Sequence, residues 1–200
     1  MNYAAQTTDP ATFEIVKNSL YKIAEEMRVV LAKTAYSPLL KSAGDYSCGV
    51  FDARGEMVAQ GPDLPIHLGS MPDAVRAVVA AFAGDVHEGD VFIHNDPYFG
   101  GSHLPDVNVV RPAFYAGQLL GYACLRAHWP DVGSATPGTH STSVSTCVCA
   151  RSTARSSGRL DSTCWKNSCA ACPESPSTSS RPTRSSCASV MGIRSAARRM

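Results

Sequence analysis

The chain has 200 residues, 44% of them hydrophobic, and a formal net charge of +1. That is room for one ordinary domain with a packed core. Met1 to Pro10 lacks a basic segment leading into an apolar one, and no window is apolar enough to cross a bilayer. The expectation is a cytoplasmic protein with no leader and no membrane or nucleic-acid partner.

The small net charge hides a split. Residues 1–140 carry nine Lys/Arg against fifteen Asp/Glu, whereas residues 141–200 carry nine against two. Cysteine divides the same way: Cys48 and Cys124 lie in the first part, and the other six lie in the last sixty residues. Two regions are therefore expected, 9–140 as the folded portion and 141–200 as a Ser/Arg/Cys-rich tail.

In chain order, Asp9 and Thr12 are candidate N-caps, and Pro10 suits a first turn. Phe13, Val16, Leu20, Ile23, Met27, Val30, Leu31 and Thr34 then recur at three- and four-residue steps, the stripe of a packing helix of about six turns. Ser37-Pro38 stops it. Leu39 to Tyr46 reads as a loop. Ser47 to Phe51 and Glu56 to Gln60 read as a hairpin closed at Gly55. A second helix is expected from Ala74 to Phe82, opened by Met71-Pro72-Asp73 and ended at Gly84. Val91-Phe92-Ile93 is a short buried strand. Val107 to Phe114, a turn at Ala116-Gly117-Gln118, and Leu119 to Ala127 form a long hairpin. The class is α+β: a mixed or antiparallel sheet with packing helices, followed by a disordered tail.

The chemistry concentrates between Gly89 and Gly133. One five-residue pattern occurs twice, as His103-Leu104-Pro105-Asp106-Val107 and His128-Trp129-Pro130-Asp131-Val132. A third polar knot, His94-Asn95-Asp96-Pro97, lies upstream. His-x-Pro-Asp cannot sit inside a helix, because proline removes a donor and pushes its predecessor toward extended backbone. Both motifs therefore fall at strand ends, and antiparallel pairing brings Asp106 and Val107 beside Ala127 and His128. Mixed imidazole and carboxylate donors suit Mn, Fe or Zn. The expected ligands are His103 and His128 with one carboxylate, Asp106 before Asp131 or Asp96. The remaining carboxylates, Asp96 and Asp131, are left to orient imidazoles or act as a general base. The competing reading is a hydrogen-bonded His–Asp pair across a hairpin. His67 reads as a structural histidine, His94 as pointing away from Asp96 by strand alternation, His87 as surface, and Cys48 and Cys124 as core thiols. Trp129 is placed to wall the pocket.

These pieces resemble the N-terminal part of the hydantoinase B/oxoprolinase family over residues 9–139. The matching segments include Thr34-Ala35-Tyr36-Ser37-Pro38, Asp45-Tyr46-Ser47-Cys48 and Pro65-Ile66-His67-Leu68-Gly69-Ser70-Met71-Pro72. The most diagnostic are Asn95-Asp96-Pro97-Tyr98, Gly100 through Asp106, and Arg126 through Gly133. The resemblance implies a subunit of an ATP-dependent hydrolase of cyclic amides such as 5-oxoproline or hydantoins. A hydantoinase A-like partner would bind ATP and phosphorylate the substrate carbonyl. Related members serve in ketone carboxylases, where the equivalent subunit carries a metal. The family's histidines map onto His103 and His128. Its carboxylate ligand falls in one register at Gly100, so Asp106 and Asp131 stay open as the carboxylate. The family's length is far greater, and on that ground the chain alone is expected to be inactive.

The tail has three readings: a disordered basic appendage, a zinc module built on Cys147-x-Cys149 and Cys169-x-x-Cys172, or a shifted reading frame. The third is favoured. Thr163-Cys164-Trp165-Lys166-Asn167-Ser168-Cys169, written in GC-rich codons and read one base earlier, encodes His-Leu-Leu-Glu-Glu-Leu-Leu, an amphipathic helical pattern. The shift would fall near residues 140–147. The six tail cysteines and the positive charge would then be coding accidents, and residues 1 to about 140 the head of a longer subunit; a truncated, non-functional product is the separate alternative.

Overall fold

The computed structural model describes residues 8–130, 132, 149–154 and 160–164. Helix α1, Pro10–Thr34, starts where Asp9 Oδ2 accepts from the Thr12 N–H at 3.0 Å, with Pro10 in the first turn. It packs against strands β1, Tyr46–Asp52, and β2, Met57–Gln60. Its stripe is wider than the surface that covers it. Ala24 is its one fully buried residue, while Val16, Ile23 and Val30, seven residues apart, stay 52%, 45% and 47% exposed. Periodicity identifies an apolar face but not what lies against it.

A short helix α2, Pro38–Lys41, occupies the start of the stretch expected to be a loop. Pro38 presets the first turn, and the Leu40 and Lys41 N–H groups donate to the Ser37 carbonyl. Helix α3, Pro65–Ala81, begins nine residues before Ala74, its expected start. Pro65 is the true first-turn proline. Pro72 lies inside, and the helix runs through it without the bond that its missing N–H would make to Leu68. His67 therefore sits in the first helical turn rather than in a loop.

Strand β3 is Asp90–His94, and the long hairpin is β4, Asp106–Tyr115, with β5, Gln118–His128. Ala116 and Gly117 join them with φ of 49° and 76°, the two positive values of a type I′ turn. Two further strands, β6 at Cys149–Ala154 and β7 at Leu160–Cys164, lie inside the tail. The sheet order is β2-β1-β5-β4-β3-β6-β7, and every described pairing is antiparallel. The fold is α+β. Residues 133–148 and 155–159, and the tail beyond 164, lie outside the described residues, as does Asp131.

The core forms where α3 crosses the sheet. Met71, Val75, Val78 and Phe82 pack on Phe51 of β1, Phe92 of β3, Val110 of β4, and Tyr122 and Cys124 of β5. Of the four residues expected to face inward, Val75, Val78 and Phe82 are buried and Val79 is partly buried against them. Cys48 and Cys124 are fully buried free thiols. Burial pushes both up to about 12, so they are protonated core groups rather than nucleophiles.

Candidate metal centre

Side chains on a strand alternate between faces, and facing residues of neighbouring strands line up in rows. In this sheet Ser47 pairs with Arg126, Arg126 with Asn108, and Asn108 with His94. One polar row thus crosses β1, β5, β4 and β3, and all four residues are buried. Two residues further along on the same face come Asp106 and His128, themselves cross-strand partners. Asp45, two residues before Ser47, reaches this level too, because its carbonyl accepts from the His128 N–H at 3.0 Å. The candidate site is this second row.

His103 joins it through the turn of its own motif. The Asp106 N–H donates to the His103 carbonyl at 3.0 Å, and the Trp129 N–H donates to the Pro105 carbonyl at 2.8 Å. The two motifs are thereby clasped together. His103 Nε2 lies 2.9 Å from Asp106 Oδ1, and His128 Nδ1 lies 3.2 Å from the same oxygen. The imidazole centroids are 5.0 Å apart. Ligand atoms of His103, Asp106 and His128 all lie within 4.8 Å of one another. Two metal bonds of about 2.1 Å at a right angle end about 3 Å apart, so the donor set fits one small divalent ion. Asp106 is at the bottom, His128 is partly buried, and the His103 side chain is 46% exposed at the mouth.

A second ring surrounds Asp106. His67 Nε2 stands 3.5 Å from Asp106 Oδ2 and 3.5 Å from Asp45 Oδ1. Its Nδ1 is 3.2 Å from the Ser47 hydroxyl. The Ser102 hydroxyl donates to Asp106 Oδ2 at 2.5 Å. Burial pushes the Asp106 carboxyl up, but the Ser102 hydrogen bond and the nearby His103, His67 and Arg126 charges outweigh it, and the group sits below its usual range. His67 is pulled down, first by burial, with Asp106 and Asp45 opposing.

Arg126 braces this ring from beneath. Its Nε donates to Asn108 Oδ1 at 2.8 Å, and Nη1 donates to the His67 carbonyl at 3.3 Å and to the Ser70 hydroxyl. The side chain is fully buried, and Nη2 has no hydrogen-bond partner among the described residues. Arg126 thus ties the first turn of α3, and with it His67, to β4 and β5.

Asp96 has a different task. It caps the 3₁₀ turn Pro97–Phe99, its Oδ1 accepting from the Tyr98 N–H at 2.9 Å, and it does not belong to the cluster of His103, Asp106 and His128. The expectation that His94 points away from Asp96 does not hold, because residues two apart on extended backbone share a face; after the burial that lowers His94, the Asp96 charge is the largest influence opposing that shift. Gly100 is no ligand position. Its φ is 84°, and a Cβ there would fall 2.5 Å from the Asp73 backbone. A Cβ on Gly101 would fall 2.5 Å from the Asp96 carbonyl oxygen. The glycine pair lets this loop press onto α3 and so delivers Ser102 and His103. Trp129 is partly buried beside the motif. His87 is on the surface, 3.7 Å from Asp85 and 3.8 Å from Asp90. Asp45 and His67 are the functional candidates that sequence reasoning underrated.

The family's sequence profile, described as hydantoinase B/oxoprolinase, matches residues 9–148. The chain belongs to the hydantoinase B/oxoprolinase family. It is 40% identical over 131 residues to the beta chain of the caprolactamase of Pseudomonas jessenii, covering 66% of this chain and 22% of that one. It is 40% identical over 131 residues to the 5-oxoprolinase of Saccharomyces cerevisiae, covering 65% of this chain and 10% of that protein. The crystal structure of the ATP-dependent caprolactamase superposes with a TM-score of 0.62 at 40% identity, over 66% of this chain and 23% of that one. Nucleotide-free acetone carboxylase superposes with a TM-score of 0.59 at 27% identity, over 65% of this chain and 17% of that one. The chain spans a quarter or less of the length of these relatives. Among the described residues no helix is long and apolar enough to cross a membrane.

Proposed function

We propose that this chain carries the metal-binding head of an ATP-dependent hydrolase of cyclic amides. The observation that supports it is the three-donor cluster of His103, Asp106 and His128 at one end of the β4–β5 hairpin, with His103 open to solvent. A divalent transition ion there, Mn, Fe or Zn, would polarise a carbonyl oxygen and acidify water. Around it, Asp106 supplies buried negative charge, His67 and Ser102 hold that carboxylate, and Asp131 is the proposed general base. ATP enters through a hydantoinase A-like partner subunit that activates the substrate carbonyl. Two relatives, from a caprolactamase and from a D-/L-hydantoinase, are each named as one subunit of their enzyme, which supports a two-subunit arrangement.

Equilibrium dialysis of the full 200-residue chain against Mn, Fe and Zn tests the centre. The wild type is expected to retain one ion, and the double variant His103→Ala, His128→Ala to retain none. Full retention in the double variant would overturn the ligand assignment.

A second reading, a subunit of an ATP-dependent ketone carboxylase, is favoured by the likeness to acetone carboxylase. Mixing the chain with a competent A-type partner separates the two. ATP turnover that requires 5-oxoproline or a hydantoin supports the amidase. Turnover that requires a ketone and bicarbonate supports the carboxylase, and none with either supports a truncated, non-functional product.

A further inference from the structure

A carboxylate can offer a metal one oxygen or two, and the choice sets how many positions remain for water and substrate. The two oxygens of Asp106 have different neighbours. Oδ1 faces both ligand imidazoles, His103 Nε2 at 2.9 Å and His128 Nδ1 at 3.2 Å. Oδ2 is contacted by the Ser102 hydroxyl at 2.5 Å and by His67 Nε2 at 3.5 Å.

The partners of Oδ2 are themselves held. His67 Nε2 looks at two carboxylates, Asp106 and Asp45, which only accept, so this nitrogen carries a proton. In the neutral ring Nδ1 is then the acceptor, and the fully buried Ser47 hydroxyl is 3.2 Å away to donate to it. Arg126 fixes the turn that carries His67, because it donates to both the His67 carbonyl and the Ser70 hydroxyl. Ser102 is delivered by Gly100 and Gly101, whose missing Cβ atoms allow the loop to sit against Asp73 and Asp96.

We infer that Ser102 and His67 are positioning residues that make Asp106 a single-oxygen donor toward the ion it shares with His103 and His128. The inference rests on the metal reading proposed above. Its functional consequence is a three-point protein shell, with the remaining coordination positions turned toward the mouth where His103 is exposed. Without Ser102, Oδ2 is free to swing onto the ion, and the shell closes by one position. Side chains that orient metal ligands typically alter metal affinity by about 10–100-fold when removed.

The test uses the full 200-residue chain loaded with Co(II), whose visible absorption reports coordination number. Ser102 is exposed, so Ser102→Ala leaves the core intact. Ser102→Ala is expected to weaken the visible band, as coordination number rises, and to change the Co(II) dissociation constant by about tenfold or more. Ser102→Thr keeps the hydroxyl and is expected to restore both. His67→Leu is expected to shift the band in the same direction, and His67→Gln, which retains a donor near Nε2, to shift it less. Wild-type band and affinity in Ser102→Ala and His67→Leu alike would overturn the positioning role while leaving the ligand set standing. A wild-type chain that binds no Co(II) would overturn the metal reading itself, and this inference with it.

Discussion

Asp106 and His128 face each other across the last rung of the β4–β5 ladder, and the imidazole Nδ1 lies 3.2 Å from the carboxylate Oδ1. The contact joins the two His-x-Pro-Asp motifs, 25 residues apart in sequence, into one site. Asp106 touches both histidines, so it is the residue on which the donor set depends. Asp106→Asn keeps the shape and removes the charge. It is expected to weaken Zn or Mn binding by at least about 100-fold, beyond the effect of a surrounding residue. Isothermal titration measures this. Affinity within about threefold of wild type would move the carboxylate ligand elsewhere, with Asp131 the next candidate.

Gly100 makes a second prediction, because two separate obstacles meet there. The backbone is left-handed, and an added Cβ would strike the Asp73 carbonyl group at 2.5 Å. Gly44 has a similar φ of 69° with nothing within 4 Å of its would-be Cβ. Gly44→Ala therefore isolates the cost of the left-handed backbone, about 1 kcal/mol. Gly100→Ala is expected to cost about 2–4 kcal/mol, since helix α3 and the loop must also part. Urea denaturation of the two variants gives the comparison. Equal losses would mean that the loop yields without resistance.

Much of the site was legible because the motifs themselves fix it. A proline two residues after each histidine disfavours helix there, and an apolar run with a central glycine supplies a hairpin, so the pairing of Asp106 with His128 follows from pattern. Asp45 and His67 were hidden for physical reasons. Asp45 belongs to no strand and reaches its row through one backbone bond to His128. His67 was masked by Pro72, which reads as a helix start yet lies inside α3. Periodicity revealed the apolar face of α1 but could not show that Val16, Ile23 and Val30 stay exposed. Arg126 stood out only within a family segment, since nothing local marks an arginine in a strand as a brace.

The reading frame of the tail yields a third expectation. The family profile ends at residue 148, and the Ser, Cys and Arg enrichment starts at about residue 141. An independent nucleotide sequence across codons 135–170 is expected to contain an inserted or lost base near codon 140 and to continue in the frame that encodes His-Leu-Leu-Glu-Glu-Leu-Leu. An intact frame would make the Ser/Cys/Arg tail genuine and weaken the enzyme reading for this chain.

Arg126 is expected to matter for stability more than any single histidine. Arg126→Met removes three hydrogen bonds at once and leaves Asn108 Oδ1 and the His67 carbonyl without their donor in a buried setting. The cost is expected to be about 3 kcal/mol or more. Arg126→Lys keeps the charge but not the fork, and cannot reach β4 and α3 together. It should recover only part of the loss. Chemical denaturation of both variants tests this, and a Lys variant as stable as wild type would show that charge rather than geometry is what the row requires.

Asp52 supplies a pH-dependent term far from the candidate centre. In the β1–β2 turn its Oδ1 accepts from the Arg54 and Glu56 N–H groups, each at 2.9 Å, and its Oδ2 accepts from Arg54 Nε at 3.0 Å. Burial pushes the carboxyl up, but the Glu56 N–H, the Arg54 guanidinium and the Arg54 N–H outweigh it and hold the group below its ordinary value. A carboxyl depressed by folding stabilises the native state above its unfolded pKa of about 3.9, and that contribution disappears as pH falls through the lower, folded value. Wild type should therefore exceed Asp52→Asn in unfolding free energy by a constant margin from about pH 6 to pH 5. The margin should shrink progressively as the solution is acidified below that window. Urea unfolding of both chains at half-unit pH steps measures it. A margin that stays the same down to about pH 3 would mean that the turn depends on the shape of the side chain and not on its charge.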